Sequence, residues 1–254
     1  PGSLEELLLV RGMDRRRLLG DDRDRNFFID ADERPRDLAT GSVGLNDSDE
    51  GFGPHGLSTW LTLHSAERNV DRFGRPRVNL NDPDLAALRK SLAEFLPGEL
   101  VDFILLSRQY GLAATGAAQF VSVADVVDAA VQVPQSDGTS LVQSPLTGTS
   151  ESTRELLPLL LERTTTSGED RIVGRINVNQ APRPVLLAMP GLTESMVDRI
   201  LQQRRDLDEE SRHSVAWLLT EGVLPVATFQ TVSTWITAGG DVFRAQIVAF
   251  HSER

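Results

Sequence analysis

The order of apolar and polar residues along the chain predicts short strands and amphipathic helices. Apolar and polar positions alternate in four stretches, which is the pattern of a half-buried strand. Between these stretches, apolar residues recur at a spacing of three and four, as in a helix with one buried face. The predicted strands are Ser58–Ser65, Arg75–Asn81, Ile172–Val178 and Asp241–Ser252.

The predicted helices begin at capping residues or at proline, and several end at glycine. Residues 134–152 are rich in Ser, Thr, Gly, Pro and Gln, which predicts a loop. The predicted caps are Ser3, Asp82, Thr193 and a capping box formed by Ser122 with Asp125. The predicted helices are Ser3–Met13, Pro83–Leu96, Glu99–Gly111, Ser122–Val133, Ser152–Thr164, a helix starting near Arg183, Glu194–Arg205, Val215–Leu219 and Pro225–Trp235.

This order of elements indicates the fold class. Two strands, several helices, one strand, several helices and a final strand are typical of an α+β protein. We therefore expect a small antiparallel sheet that is flanked or interrupted by a helical unit.

One short motif occurs twice. Arg77–Asn81 reads RVNLN and Arg175–Asn179 reads RINVN, and each is followed by proline, an apolar helix, Pro-Gly and a helix that ends in arginine. Asparagine suits tight turns, and proline suits the first helical turn. Two explanations are open: an internal duplication, or the shared chemistry of strand-to-helix junctions.

The second copy contains a helix-hairpin-helix-like unit, Leu186–Arg204, which reads LLAMPGLTESMVDRILQQR. Thr193 stands where such units usually carry a second turn glycine. Residues 171–205 hold six arginines and two acidic residues, a local charge of +4. The unit is interpreted as a packing module, and a DNA-binding helix-hairpin-helix protein is the alternative.

Composition lowers the expectation of nucleic-acid binding and of catalysis. The 254-residue chain has a formal net charge of −11, which opposes a phosphate backbone. It has no cysteine, so disulfides, thiolate nucleophiles and zinc–sulfur sites are excluded. The four histidines show no HExxH spacing, and the chain has no GxSxG motif. We expect a protein that is not an enzyme.

The acidic segment DDRDRNFFIDADE matches the ligand spacing of an EF-hand calcium loop. Phe27 occupies position 6, where such loops normally have glycine for a sharp turn. A solvated acidic loop is the alternative to a metal site. A second acidic cluster, Asp47, Asp49 and Glu50, is a further candidate. The predicted calcium ligands, at positions 1, 3, 5, 7, 9 and 12, are Asp22, Asp24, Asn26, the carbonyl of Phe28, Asp30 and Glu33.

Five segments together resemble one family. They read LEELLLVRGM, GLSTWLTLHS, GRINVNQAPRPVLLAMPGL, AWLLTEGV and DVFRAQIVAF. In this order they resemble the minor pseudopilins of type II secretion systems, the general secretion pathway protein K family. The resemblance implies a non-enzymatic assembly protein at the pseudopilus tip, in complex with two other minor pseudopilins. It also implies a pilin-like α/β domain with a helical insert, calcium binding, and an N-terminal helix anchored in the inner membrane with the remainder in the periplasm.

The chain begins with Pro-Gly-Ser, which is typical of a cleavage scar, so we expect a native anchor segment to be missing from it. The resemblance and the element order together predict five regions. They are an N-terminal helix with the calcium loop (1–57), strands of the pilin-like sheet (58–81), a helical insert (82–171), the second junction with the helix-hairpin-helix-like unit (172–235) and a C-terminal strand (236–254).

Overall fold

The computed structural model describes residues 2–22 and 56–242. The chain divides into two compact units, and residues 65–242 form the larger one. The remaining described residues, 2–22 and 56–64, belong to the other unit. The predicted C-terminal strand lies outside the described residues from position 243 onward.

The predicted α+β class is confirmed, because the described residues contain both helices and short strands. In chain order these elements are α1 (Arg15–Leu19), β1 (Ala66–Arg68), β2 (Val78–Asn79), α2 (Leu85–Leu92), α3 (Gly98–Tyr110), β3 (Ala130–Gln135), β4 (Gly138–Gln143), α4 (Glu151–Arg163), β5 (Thr164–Thr165), β6 (Arg171–Val173), β7 (Ile176–Asn177), α5 (Arg183–Leu187), α6 (Glu194–Asp206), α7 (Trp217–Thr220), α8 (Val226–Ser233) and β8 (Ile236–Thr237).

The described strands pair two by two instead of forming one sheet. β1 pairs with β6, and β3 pairs with β4, both antiparallel. β2 pairs with β5, and β7 pairs with β8, both parallel. Residues 65–242 therefore contain four two-stranded sheets in place of the one small antiparallel sheet that was expected, and helical residues outnumber strand residues.

One hydrophobic core runs through the larger unit. It extends from Leu80 to Ile236 and includes the fully buried side chains of Phe103 and Phe229. Six of the thirteen residues of α3 are buried, so this helix lies in the middle of the core rather than on its surface. Truncation of such an aromatic side chain to alanine typically costs about 3–5 kcal/mol.

Several predicted helices are confirmed. α3, α4, α5, α6, α7 and α8 occur where the apolar spacing placed them, and Thr193 caps α6 through the amide of Met196. The cap of α2 was predicted two residues too early. Asp84, not Asp82, accepts the amides of Ala86 and Ala87, while Asp82 accepts the amide of Asp84.

The N-terminal helix was predicted too long. Leu4–Leu9 forms a 3₁₀ helix, and Val10 is extended, so the predicted helix over Ser3–Met13 is wrong beyond its first turns. The side chain of Ser3 makes no capping hydrogen bond. The carboxylate of Glu6 instead accepts the amide of Gly2 at 2.6 Å.

Two predicted strands differ from the structure. Ser58–Ser65 contains part of a 3₁₀ turn, Leu57–Thr59, followed by irregular backbone in which Thr62 accepts the amide of His64. Such side-chain-to-backbone bonds compete with strand pairing. Ile172–Val178 is broken at Gly174, whose φ of +79° turns the chain between β6 and β7.

The helix predicted over Ser122–Val133 is wrong after its first turn. The capping box of Ser122 and Asp125 is confirmed, but it starts only a 3₁₀ helix, Val123–Val126. Asp128, at φ +53°, then directs the chain into β3. The predicted loop 134–152 accordingly contains β4, which is joined to β3 through the turn residues before Gly138. Asp-Gly between alternating residues is a hairpin signal that the helical spacing of valines concealed.

The repeated motif builds the same junction twice. β2 and β7 each end where an asparagine side chain accepts the amide two residues ahead: Asn79 from Asn81 at 2.9 Å, and Asn177 from Asn179 at 3.0 Å. The residue between each pair of asparagines donates its amide to the partner strand, Leu80 to Thr165 and Val178 to Thr237.

The side chain of the second asparagine in each copy forms hydrogen bonds with two later segments, and these segments are equivalent in the two copies. Asn81 donates to the carbonyls of Phe120 and Thr166, and Asn179 donates to those of Arg212 and Ala238. Phe120 and Arg212 each stand two residues before a Ser-Val-Ala turn, at positions 122–124 and 214–216. Both turns use the serine hydroxyl to accept the alanine amide.

The arginine near the end of each second helix also has one role in both copies. Arg108 of α3 donates to the carbonyls of Leu80 and Asp82, and Arg204 of α6 donates to those of Val178 and Ala181. Agreement over so many separate positions exceeds what shared junction chemistry explains. We conclude that the chain contains an internal duplication. We call residues 77–168 the first repeat and residues 175–240 the second, and only the first contains the β3–β4 hairpin.

The two junction asparagines should differ in their contribution to stability. The Oδ1 atom of Asn81 accepts the amide of Phe120, whereas the buried Oδ1 of Asn179 has no partner among the described residues. Asn81→Ala loses three side-chain hydrogen bonds to residues outside its own turn, and we expect a loss of about 2–4 kcal/mol. Asn179→Ala loses two and removes an unsatisfied acceptor, so we expect about 1–2 kcal/mol.

Urea denaturation of the two variants and the wild type measures this difference. In a thermal melt of the same proteins, each 1 kcal/mol of lost stability would lower the melting temperature by about 2–4 °C for a unit of this size. Equal losses for the two variants would contradict the assignment.

Candidate functional site

A cleft of about 340 Å³ lies where the two repeats meet. The last strand of each repeat contributes to its wall, through Thr164 and Thr165 of β5 and through Ile236 and Thr237 of β8. Small hydroxyl side chains and several apolar residues, among them Val70, Leu161 and Ile236, fill the spaces between charges. The charged side chains that line it are Glu67, Arg68, Asp71, Arg72, Arg77, Glu162, Arg175 and Asp241.

Arg77 and Arg175 occupy equivalent positions, because each opens the repeated motif. The duplication therefore places two guanidinium groups in one cleft. The carboxylate between them belongs to Glu67, which is only 7% exposed. Glu67 accepts from Arg175 at 3.0 Å with one oxygen and from the hydroxyl of Thr237 at 2.6 Å with the other.

Arg77 has no comparable carboxylate partner. Its Nε donates to the backbone carbonyl of Glu162 at 3.0 Å. Among the residues that the structure describes, Arg77 makes no ion pair within 4 Å. Burial lowers the pKa of Arg77, the nearby Glu67 opposes this effect, and the positive charge of Arg175 adds to it.

The other arginines of the cleft are matched by acids. Arg72 contacts Glu162 at 3.0 Å and Glu210 at 2.6 Å, and its hydrogen bond to Glu210 raises its pKa. The side chain of Arg68 lies 3.5 Å from Asp241. These outer pairs are more exposed than the Glu67 pair, so each contributes little to stability.

Asp71 is a second buried carboxylate at the cleft, only 4% exposed. One oxygen accepts the amides of Phe73 and Arg75, both at 2.9 Å, and the other accepts Nε of Arg75 at 2.8 Å. Arg163 lies 3.5 Å from the same oxygen. Burial raises the pKa of Asp71, but the hydrogen bonds from Arg75 and Phe73 outweigh burial, so its pKa is lowered overall.

The chemistry of the cleft is suited to holding charges in place. Over residues 2–22 and 56–242, no group of three or more His, Asp or Glu side chains is arranged to hold a metal ion. His213 lines the cleft, but no hydrogen bond within the described part joins its ring to a hydroxyl. The arrangement can bind an anion or fix the angle between the repeats.

Most of the predicted calcium ligands lie outside the described residues: Asp24, Asn26, Phe28, Asp30 and Glu33. The second acidic cluster, Asp47, Asp49 and Glu50, also lies outside them. Asp22 is described, and its side chain is buried.

Three of the six arginines in residues 171–205 are engaged within the protein: Arg175, Arg183 and Arg204. Arg183 contacts Asp198 at 3.2 Å, and Glu194 in the first turn of α6 lies 4.0 Å from it. Arg204 donates to backbone carbonyls, and Arg175 lies in the cleft. Fewer free cations are therefore available to a phosphate backbone than the local charge of +4 suggested.

Sequence reasoning did not identify the cleft. The repeated arginine of RVNLN and RINVN was the signal that could have located two of its residues. Glu67 and Asp71 lie in a segment without a motif, and only the fold brings them to Arg175 and Arg163.

No helix within the described ranges is long and apolar enough to cross a membrane. Comparisons of the chain with protein-family models, with curated proteins and with solved structures found no match.

The lowered pKa of Asp71 predicts a pH-dependent contribution to stability. The contribution is complete above the unfolded-state pKa, near 3.8, and is lost as pH falls through the folded-state pKa. We expect Asp71→Asn to lower the melting temperature by several degrees at pH 7, because the charge that faces Arg75 and Arg163 is removed. The deficit should shrink as the pH falls below 4.

Thermal melts between pH 7 and pH 3 measure this effect. Asp137→Asn, the same change in the exposed β3–β4 turn, is the matched control and should leave the melting temperature unchanged at pH 7. A deficit for Asp71→Asn that stays constant over this range would contradict the prediction.

Proposed function

We propose that the chain is a structural assembly protein, a minor pseudopilin at the pseudopilus tip of a type II secretion system. In this proposal it acts in the periplasm, is anchored in the inner membrane and binds other minor pseudopilins. It performs no catalysis. The five segments that resemble the general secretion pathway protein K family support the proposal, because they occur in one order along nearly the whole chain.

The observation that carries most weight in the structure is the way in which the two repeats are joined. One continuous core and one cleft of mostly paired charges connect them. Ser122 and Ser233, from different repeats, share a hydrogen bond of 2.6 Å, and Gln230 of α8 donates to the carbonyl of Val127 in the first repeat. Such a connection resists bending, which is what a protein that transmits force in an assembly requires.

The pilin-like sheet is part of the same proposal. We propose that the segment Asp241–Ser252 supplies its C-terminal strand. The helical unit with its two repeats would then be the insert carried by that sheet.

Co-purification tests the assembly role. The chain is mixed with tagged soluble domains of the other minor pseudopilins from the same organism, and complexes are separated by size exclusion with light scattering. We expect a stable heteromeric complex, with an unrelated acidic protein of similar size as control. Recovery of the chain alone at micromolar concentrations of all partners would contradict the proposal.

The same preparation addresses the DNA-binding alternative. Because the net charge is −11 and several arginines are engaged internally, we expect negligible binding to duplex DNA at physiological salt. A gel shift at micromolar protein that weakens steeply with salt would favour the helix-hairpin-helix alternative instead.

We further propose that Asp22, Asp24, Asn26, Asp30 and Glu33, with the carbonyl of Phe28, bind one calcium ion. Carboxylates this close in sequence repel one another, and a divalent cation removes the repulsion. A ligand that binds only the folded state adds about 2.7 kcal/mol at a hundredfold excess over its dissociation constant. Phe27 in place of glycine predicts a weak site.

The measurement is the rise in melting temperature between EDTA and excess calcium. We expect this rise in the wild type and in the control Asp137→Ala, and its loss in Asp22→Ala and Glu33→Ala. The same rise in all four proteins would show that calcium acts elsewhere, and no rise in the wild type would refute the site.

A further inference from the structure

The cleft between the repeats contains more hydrogen-bond donors than its own carboxylates satisfy. Arg77 and Arg175 share one nearby buried carboxylate, Glu67, whose oxygens are already engaged by Arg175 and Thr237. Nε of Arg175 is buried without a partner among the described residues. In that part of the chain, Arg77 uses only Nε, which leaves its two terminal nitrogens free to donate.

This surplus of hydrogen-bond donors is confined to Arg77 and Arg175, the arginines that begin the two repeats. Arg68 and Arg72, which line the same cleft, each have an acidic partner within 4 Å. Burial weakens the hydration of the Arg77 guanidinium, so an oxyanion that reaches it meets little competition from water. A guanidinium fork matches a planar carboxylate with two parallel hydrogen bonds.

The remainder of the cleft limits the charge and the size of such an anion. The four lining arginines are balanced by Glu67, Asp71, Glu162 and Asp241, so a multiply charged anion would be repelled by these carboxylates. The volume of about 340 Å³ is at the lower end of the range for small-molecule sites. A short aliphatic portion would be accommodated by the apolar side chains that form part of the lining, which include Val70, Val123, Leu161, Val215 and Ile236.

We propose that the cleft binds the carboxylate of a small, singly charged ligand with a short aliphatic portion, through the guanidinium groups of Arg77 and Arg175. A free short-chain acid and the C-terminus of a peptide share this chemistry. The site does not depend on the assembly role proposed above, because it rests on the geometry within residues 65–242 alone.

Calorimetric titration of the full chain tests the proposal, with sodium butyrate as the probe at fixed ionic strength. Butyramide, which has the same shape without the charge, and phosphate are the comparison ligands. We expect butyrate to bind at least tenfold more tightly than either. N-acetyl-leucine presents the carboxylate as a peptide terminus does, and the tighter of butyrate and N-acetyl-leucine identifies the source. Absence of butyrate and N-acetyl-leucine binding, or equal binding of butyramide, would overturn the proposal.

Three variants locate the binding. Arg77→Gln should weaken butyrate binding roughly tenfold or more, since it removes a charge-assisted pair. Arg199→Gln removes an exposed arginine of α6 away from the cleft and should have no effect. Glu67→Gln removes the resident carboxylate and should tighten binding, whereas an ion network that serves only the fold predicts no such gain.

Circular dichroism confirms that each variant is folded before its titration. If Arg77→Gln or Glu67→Gln does not fold, the wild-type comparison of butyrate with butyramide decides the question by itself. Butyrate binding that Arg77→Gln leaves unchanged in a folded protein would place the ligand elsewhere and overturn the assignment.

Discussion

The side chains of two asparagines, Asn81 and Asn179, connect separate segments of the larger unit by hydrogen bonds. Asn81 and Asn179 each stand where a two-residue strand turns into a helix, and each bonds a carbonyl beyond the partner strand and one before the Ser-Val-Ala turn. A two-residue parallel pair supplies few hydrogen bonds, so it is marginal without such support. The amide group provides both donor and acceptor, and it fixes three separate chain segments at one point.

The cleft follows from having this junction twice. Each copy begins with an arginine one residue before its strand, and the two arginines line the same cleft. Two guanidinium groups in a partly buried cleft would repel each other without an acid between them, and Glu67 from β1 supplies that acid. One carboxylate does not fully satisfy two arginines, and this imbalance gives the cleft its affinity for an anion.

The two repeats differ in how completely the hydrogen-bonding groups of their junction asparagines are satisfied. The first repeat contains an additional hairpin, and its Asn81 receives the amide of Phe120, whereas Oδ1 of Asn179 has no equivalent donor in the described part. The hydrogen bonds of the junction asparagine are thus complete in the first repeat and incomplete in the second. Stability is therefore expected to be greater around the first junction than around the second.

The sequence by itself determined the longer helices, the cap of α6 and the strand-to-helix junctions. Apolar spacing, proline and glycine act within a few residues, so α3, α4 and α6 were predicted close to their observed bounds. The tertiary structure alone decided strand pairing, the β3–β4 hairpin within a valine-rich segment and the arrival of Glu67 beside Arg175. These depend on contacts between residues far apart in the chain, where side-chain periodicity carries no information about the partner.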